Sequence, residues 1–440
     1  MQFKKNDKKV TRAWAFYDWA NSVYNLVITT AIFPMFYLAK TSDLLPDDRV
    51  NFLGYQPINS ELYGYVFSAS FLLVVLLVPI LSGIADYAGK KKFFMQVFCY
   101  LGSASCFGLF FFDPAHLELS MLFVFLASIG FWGSLVFYNS FLPEIATPDQ
   151  HDQLSARGFS LGYIGSVLLL VSLLIAIKGF GMPAKYSFVA VAIWWAGFAQ
   201  ITYRRLPGNI YGKSGKITTQ VLSNGYRELR KVWNELKQIK VIKRFLLSYL
   251  LYNMGVQTVM LLAVIFAEKE ISWPINPETG KADNSGLIVS VIIIQLIAIV
   301  GATLMSRLSR KVGNVNVLII SVFIWIGVCI TAYFIHQPIE FYILAAVVGF
   351  VMGGIQSMSR STYSKLLPET QDHASYFSFY DVLEKIGLVI GPFVFSFANG
   401  WFGNMRASVL FLMVFFIIGF FLLLWLKQVY PKHQIVVEEK

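Results

Sequence analysis

The chain has 440 residues, of which 56% are apolar and only 14% are charged, with a formal net charge of +11. A soluble chain of this length carries roughly twice that charged fraction, so the composition excludes an ordinary soluble protein. Apolar runs of about 20 residues, the length that crosses a hydrocarbon core, recur along the whole chain. The composition therefore predicts an all-α membrane protein with many spans.

Twelve membrane spans are expected, because backbone groups in lipid must be hydrogen-bonded within their own segment and such runs must be helices. Five basic residues precede the first run and resemble a signal peptide. No small-residue cleavage site follows them, so the first run is interpreted as an uncleaved span. The spans are placed at 14–38, 62–84, 93–112, 117–141, 158–178, 184–203, 244–266, 285–306, 315–335, 340–362, 376–399 and 406–426.

Lysine and arginine residues predict the orientation of these spans. With the N-terminus in the cytoplasm, the predicted cytoplasmic segments hold 28 of the 36 basic residues and the outer segments hold 7. The acidic residues show no such bias. The positive charge is therefore a topology signal rather than a nucleic-acid surface. We expect both termini in the cytoplasm and a location in the inner (cell) membrane of a bacterium.

The long predicted cytoplasmic segment 204–243 separates spans six and seven. Apolar residues recur at helical spacing from Leu222 to Ile239, with arginines and lysines between them. This pattern predicts a basic amphipathic helix on anionic lipid; it is interpreted as a helix that links the two halves, and a regulatory docking site is the alternative. The predicted organisation is an N-terminal six-helix half at 1–203, this linker, and a C-terminal six-helix half at 244–440.

The two halves share an internal repeat, which indicates six plus six helices related as parallel repeats. Each pair of matching segments lies at nearly the same separation, between 224 and 235 residues. The matches are Tyr138–Glu144 with Tyr363–Glu369, Ser82–Gly89 with Ser306–Gly313, and Tyr17-Asp18 with Tyr252-Asn253.

The loop after the second span carries a compact motif, from Ser82 through Asp86 and Gly89 to Lys91 and Lys92. Glycine permits a tight turn, the acid can cap the next helix or pair across the halves, and the lysines anchor the loop. This loop resembles the signature loop of the major facilitator superfamily, with Ser82 in place of its first glycine. Because the matching loop of the second half has Arg310 where the acid would be, a symmetric latch is not expected.

Three further stretches resemble one branch of that superfamily, the vacuolar amino-acid effluxers linked to autophagy and their bacterial relatives. The resemblance implies a twelve-helix transporter fold with spans one, four, seven and ten around a central cavity. It departs at Met254, where the branch tends to have an acid. The stretches are Tyr17–Ser22, Phe137–Glu144 with Gly158–Gly165, and Gly353–Ser361 running into Tyr380–Lys385 and Gly391-Pro392.

Polar residues inside the apolar spans are the candidates for function, because a charge at mid-bilayer costs about 2.5–3.5 kcal/mol on insertion scales. Asp381 and Lys385 are four residues apart and are expected to pair, which leaves Glu384 without an obvious local partner. Asp18 is expected to carry protons or to pair with Arg360. The substrate-binding or coupling candidates are Asp18, Asn21, Asn25, Asn139, Asn253, Gln257, Gln356, Arg360 and Glu384, and the structural or gating candidates are Asp86, Gly89, Lys91, Lys92, Asp381 and Lys385.

No cofactor or metal is expected, since the cysteines lie in apolar runs and the histidines have no ligand spacing. The sequence has no phosphate-binding loop for ATP and no nucleophile–base arrangement for catalysis. We therefore expect a monomeric secondary transporter that moves a small polar solute by alternating access. The resemblance favours amino acids, and proton coupling through Asp18 or Glu384 is a hypothesis. A non-transporting sensor and a lipid-modifying membrane enzyme are the alternatives.

Overall fold

The computed structural model describes residues 4–42, 44–213, 221–274 and 285–430. Thirteen long helices account for most of this part of the chain. They are α1 Lys8–Thr41, α2 Asn59–Ala88, α3 Lys91–Phe111, α4 Pro114–Ile145, α5 Pro148–Phe180, α6 Tyr186–Arg205, α7 Val221–Gln238, α8 Lys240–Glu270, α9 Ser285–Val312, α10 Asn314–Phe334, α11 Pro338–Leu366, α12 His373–Phe402 and α13 Met405–Lys427.

Every predicted span lies in one of these helices to within two residues at its ends, and α7 is the additional helix of the linker. Ten of the helices found among the described residues are long and apolar enough to cross a membrane. The two predicted spans outside that set are α6 and α12. Three ionisable residues, Asp381, Glu384 and Lys385, lower the mean hydropathy of α12. The expectation of an all-α membrane protein is confirmed.

Several helices extend beyond the predicted spans. The largest difference is at α5, which begins at Pro148 although the span was placed from 158. Its first turns contain Asp149, Asp152 and Arg157, so a hydropathy pattern does not detect them. They are helical because Pro148 occupies the first turn, where its missing N–H has no intrahelical partner in any case.

The chain divides into two compact units. Unit 1 comprises Met1–Thr147, Leu161–Arg230 and Gln371–Phe379, and unit 2 comprises Pro148–Ser160, Lys231–Thr370 and Tyr380–Lys440. Two membrane helices are therefore shared between the units. The first turns of α5 belong to unit 2, and the first turns of α12 belong to unit 1.

The same helix pairs are in contact in each unit, as the internal repeat predicts. In unit 1, α1 packs on α6, α3 packs on α4 and α6, and α2 packs on α4. In unit 2, α8 packs on α13, α10 packs on α11 and α13, and α9 packs on α11. These are equivalent pairs when the first helix of one half is matched with the seventh span.

Glycines allow the backbones of crossing helices to approach closely. In unit 1, a Cβ on Gly165 would lie 3.0 Å from the carbonyl oxygen of Trp19, where α5 crosses α1. In unit 2, a Cβ on Gly391 would lie 2.9 Å from the carbonyl oxygen of Met254, where α12 crosses α8. Small residues at such crossings are the usual means of helix association in lipid. Both glycines belong to the motifs that carry the family resemblance.

Candidate functional site

Asp18 lies on α1 of unit 1 and is only 5% exposed. The hydroxyl of Tyr138, on α4, donates a hydrogen bond of 2.9 Å to its carboxylate. Trp14 also holds Tyr138 in place. Its indole N–H donates to the Tyr138 backbone carbonyl at 2.9 Å, and the two rings stack with centroids 4.5 Å apart. The structure thus brings together two motifs that lie 120 residues apart in the sequence.

Two further polar candidates, Asn21 and Asn25, follow Asp18 on α1. Asn21 is buried, and its Nδ2 has no hydrogen-bond partner within the described residues. From Tyr24 to Ala31 the helix is a π-helix, a form that frequently marks functional positions. Asn25 lies in this wider segment and is exposed. The α-helical periodicity of α1 therefore ends at Val23, before Asn25.

The principal charge cluster of unit 2, the Lys385 cluster, consists of Asp381, Glu384 and Lys385 on α12. The Lys385 side chain is completely buried, with its ammonium 2.5 Å from the Asp381 carboxylate and 3.3 Å from that of Glu384. The predicted contact between Asp381 and Lys385 is present. Glu384 was expected to have no obvious local partner, but the neighbouring Lys385 contacts it, and Gln257 of α8 also donates to its carboxylate at 3.3 Å.

Two amides of α8 extend the Lys385 cluster. Gln257 also donates to the side-chain Oδ1 of Asn253, at 3.4 Å. The Nδ2 of Asn253 is buried and has no partner within the described residues. Tyr249 and Tyr380 stack beside them with ring centroids 4.2 Å apart. Among the predicted site residues, the structure therefore brings Asn253, Gln257 and Glu384 together.

Arg360, on α11, is held within unit 2. Its guanidinium donates to the hydroxyl and to the carbonyl oxygen of Ser155, both at 2.9 Å, and lies 4.1 Å from the ring centroid of Phe159. Ser155 in turn donates to the Ser357 carbonyl at 2.8 Å. These contacts tie the first turns of α5 to α11. The other two candidates, Asn139 and Gln356, are half-buried.

Two gating candidates of unit 1, Asp86 and Lys91, lie in a second charged group with Glu144 and His373, which the sequence analysis did not select; we call these four residues the Asp86 cluster. Lys91 pairs with Asp86 at 3.1 Å and with Glu144. His373 Nδ1 lies 3.2 Å from the Glu144 carboxylate. Asp86 does not cap the helix that follows it. Instead it accepts from the backbone N–H of Ser375 at 2.7 Å and so caps the start of α12, where a negative charge is favoured.

Gly89 and Lys92 complete the loop after α2. Gly89 has a φ of +66°, a conformation that glycine adopts at no steric cost. Lys92 donates to the carbonyl oxygen of Leu206 at 2.9 Å, so it binds the linker rather than α12.

Unit 2 has a corresponding group, the Asp152 cluster, which the sequence analysis missed. We define it as Asp152, Ser309, Asn314 and Lys365. Asp152 accepts from Ser309 at 2.8 Å, from Asn314 at 2.7 Å and from Lys365 at 2.6 Å. The acid lies on α5 and not on the loop that carries Arg310. A symmetric latch was not expected because that loop lacks the acid; in the structure Asp152 of α5 supplies an acid to a comparable group of contacts.

The sequence contained a signal for both clusters. Glu144 closes the repeated Leu-Pro-Glu segment, which was used only as a sign of duplication. Lys365 lies within the matching segment of the second half. The repeated segment therefore carries one charged member of each cluster, although Glu144 and Lys365 are not at matching positions.

Comparison with known proteins places these features in context. The family described as "Vacuole effluxer Atg22 like" matches residues 6–434. A Bacillus subtilis protein described as an uncharacterized MFS-type transporter, YxiO, is 30% identical over 435 residues, which cover 96% of each chain. Autophagy-related protein 22-1 of Penicillium rubens is 24% identical and covers 83% of this chain and 75% of its own length.

Solved structures of transporters share the fold. The proton:xylose symporter XylE superposes with a TM-score of 0.70 at 13% identity and covers 96% of this chain and 95% of its own. The human organic anion transporter MFSD10 superposes with a TM-score of 0.69 at 12% identity, covering 96% of this chain and 100% of its own. At these identities the likeness concerns the fold.

Proposed function

The chain belongs to the Atg22-like vacuole effluxer family of major facilitator transporters, and from that premise we propose that it moves a small polar solute across a bacterial cell membrane by alternating access. It is a multi-pass membrane protein with the twelve-helix, two-bundle fold of the superfamily. The proposal concerns the solute, its coupling and the residues that contact it.

The Lys385 cluster is the observation that carries the proposal. Two carboxylates and one ammonium lie on an apolar helix, where charge is expensive and is retained for function. When all three groups are ionised, the cluster has one negative charge that Lys385 does not neutralise. The Glu384 side chain, 21% exposed, is more accessible than that of Asp381, which is 5% exposed. We therefore assign Asp381 to a fixed pair and Glu384 to contact with a solute or a proton.

Unpartnered amide donors support a polar solute. The side-chain Nδ2 groups of Asn21 in unit 1 and Asn253 in unit 2 are buried. Neither has a hydrogen-bond partner among the described residues. A buried donor left unpaired costs about 1–3 kcal/mol, so these residues need another reason for their presence. In another state of the transport cycle, each could donate to a carboxylate or hydroxyl of the solute.

A zwitterion such as an amino acid fits this combination. Its ammonium group would pair with Glu384, beside the stacked rings of Tyr249 and Tyr380, and its carboxylate would accept from an amide. Aromatic faces also attract cations. We propose amino acids as the first class to test, with sugars and nucleosides as the competing classes.

A thermal-shift screen identifies the solute class. The purified protein is heated with amino acids, sugars and nucleosides in turn, and a ligand that binds the folded state raises the unfolding temperature. We expect stabilisation by amino acids that is reduced in Asn253→Leu and Glu384→Gln. Stabilisation by sugars alone would overturn the amino-acid proposal.

Proton coupling is tested with the charge-neutral variants Asp18→Asn and Glu384→Gln. Uptake of the identified solute into vesicles is measured with and without an imposed pH gradient, and Asp113→Asn, which alters an exposed loop acid, is the matched control. We expect at least one of the two membrane variants to lose the gradient dependence while the control keeps it. Unchanged gradient dependence in both would show that neither acid is the carrier.

The distribution of lysine and arginine supports the proposal that both termini lie in the cytoplasm. We also propose that the protein is a monomer. The names of its relatives as transporters favour a protein with no enzymatic activity of its own. If ligands bind but no solute crosses the membrane, a sensor becomes the better account.

A further inference from the structure

The linker begins by running along the Asp86 cluster instead of leaving the protein surface. The ammonium of Lys92 donates to the Leu206 carbonyl at 2.9 Å, and Leu206 itself is 3% exposed. All residues of this contact belong to unit 1. The segment 206–213 that follows is called the linker strap below.

Asn209 places the linker strap against the loop after α2. Its side chain accepts from the Lys213 N–H at 3.1 Å and donates to the Lys213 carbonyl at 2.6 Å, which closes the strap into a compact turn. A Cβ on Gly89 would lie 2.7 Å from the Asn209 Oδ1. The absence of a side chain at Gly89 therefore serves two purposes, since it permits the positive φ and leaves room for Asn209.

The end of the linker strap contacts the start of α12. The ring of Tyr211 stacks on that of His373 with centroids 6.3 Å apart, and its hydroxyl lies 3.5 Å from His373 Nδ1. Lys213 forms an ion pair of 2.9 Å with Asp372, whose side chain is 5% exposed. Burial raises the pKa of Tyr211 to about 12, so its hydroxyl keeps its proton even in alkaline solution.

We propose that the linker strap is part of a latch. It holds the first turns of α12 in unit 1 and so opposes the breaking of the contacts within the Asp86 cluster. Residues 371–379 belong to unit 1, and the remainder of α12 belongs to unit 2. The start of α12 can therefore separate from the rest of unit 1 only if these contacts break. A linker that merely joins two halves would be solvated and would not need Asn209, Tyr211 and Lys213 in these positions.

The latch proposal makes the linker a control point for conformational change. Anything that draws the linker strap away, such as a binding event on α7, which begins at Val221, would remove an aromatic contact and an ion pair from the start of α12. The proposal is independent of the identity of the solute and of proton coupling, because it concerns only contacts within unit 1.

A cysteine reporter tests the latch. Ser375 is fully buried, and its backbone N–H, not its side chain, binds Asp86. Ser375→Cys therefore introduces a thiol that a maleimide reaches only when the start of α12 separates. The three native cysteines are buried and give a low background. The labelling rate of the full chain in lipid nanodiscs is compared with and without Tyr211→Ala and Lys213→Gln.

We expect the combined strap variant to label at least about threefold faster than Ser375→Cys alone, from the loss of one aromatic contact and one partly buried ion pair. Tyr211→Phe, which keeps the ring, should label more slowly than Tyr211→Ala. Lys240→Gln, an exposed lysine further along the linker, is the matched control and should leave the rate unchanged.

Equal labelling of the strap variant and the control would overturn the proposal. A uniform rise in the labelling of native cysteines would indicate unfolding, and size-exclusion profiles of each variant identify that case. If unfolding occurs, the Tyr211→Phe and Tyr211→Ala pair in the otherwise intact linker provides the decisive comparison, and equal rates in that pair would also overturn the latch.

Discussion

At the scale of the residue, Lys385 shows how this chain keeps a charge inside a membrane helix. Removal of an ammonium from water costs several kcal/mol, and the cost is offset here by two carboxylates within 3.3 Å. The pair with Asp381 was predictable, because residues four apart share a helix face. The contact of Glu384 with Gln257 was not predictable, since the two residues lie on different helices and are 127 positions apart in the sequence.

Neutralisation of Lys385 should destabilise the protein more than removal of the whole pair. Lys385→Met leaves two carboxylates without their cation. It should lower the free energy of unfolding by about 3–5 kcal/mol, the usual cost of breaking a buried ion pair. The double variant Asp381→Asn/Lys385→Met leaves one acid with its Gln257 contact and should recover part of that loss.

The measurement is the unfolding temperature of each variant in the same detergent, followed by the loss of the monodisperse peak on heating. The single variant Asp381→Asn completes the double-mutant cycle. Strict additivity of the two single changes would contradict the coupling inferred from the structure.

At the scale of the element, glycines decide how closely the helices pack. Gly301 of α9 lies so close to α11 that a Cβ would collide with the backbone of Phe350. A Cβ on Gly327 of α10 would have no other heavy atom within 4 Å. Both look alike in the sequence, as single glycines in apolar spans, and the distinction requires knowledge of which helix faces which.

Alanine substitutions should separate these two glycines. Gly301→Ala forces the backbones of α9 and α11 apart and should lower stability by about 1–3 kcal/mol, the usual cost of overpacking. Gly327→Ala meets no neighbour and should be neutral or slightly stabilising, because alanine favours the helix by up to about 1 kcal/mol. Thermal unfolding in detergent measures both, and equal effects would contradict the close crossing.

The elements themselves were predicted more reliably than their ends. Twelve apolar runs indicated twelve helices, since lipid permits little else. The polar first turns of α5 escaped detection, because they have no apolar run of their own. The Asp152 cluster was missed for that reason, although it supplies the counterpart of the Asp86 cluster.

At the scale of the whole molecule, two helices belong partly to each unit. The first turns of α5 are held in unit 2 by the Asp152 cluster, and the first turns of α12 are held in unit 1 by the Asp86 cluster. The internal repeat predicted two related halves from three matched segments. It could not predict that the first turns of α5 and of α12 belong to a different unit from the rest of each helix. That assignment depends on contacts between distant parts of the chain.

Loss of the Asp152 charge should free the start of α5. Asp152→Asn removes the partner of Lys365 and weakens the bonds from Ser309 and Asn314. A thiol at the buried position Ala156→Cys should then label at least about tenfold faster, as expected for the loss of a charge-assisted hydrogen bond of about 1.5–3 kcal/mol.

The control for this prediction is Asp149→Asn, which removes an exposed acid from the same helix turns. Its labelling rate should match that of Ala156→Cys alone. Equal acceleration by both variants would indicate a general effect of charge, and the structural role of Asp152 would be rejected.

Solute counterflow tests the central claim, transport of a small polar solute, most directly. Proteoliposomes are loaded with the unlabelled solute that the thermal-shift screen identifies, and entry of the labelled form is followed. The account predicts a transient accumulation of label that depends on the internal solute and is lost or strongly reduced when Asn253→Leu and Glu384→Gln are combined. Label that enters no faster than in protein-free liposomes, for every solute that binds, would contradict it.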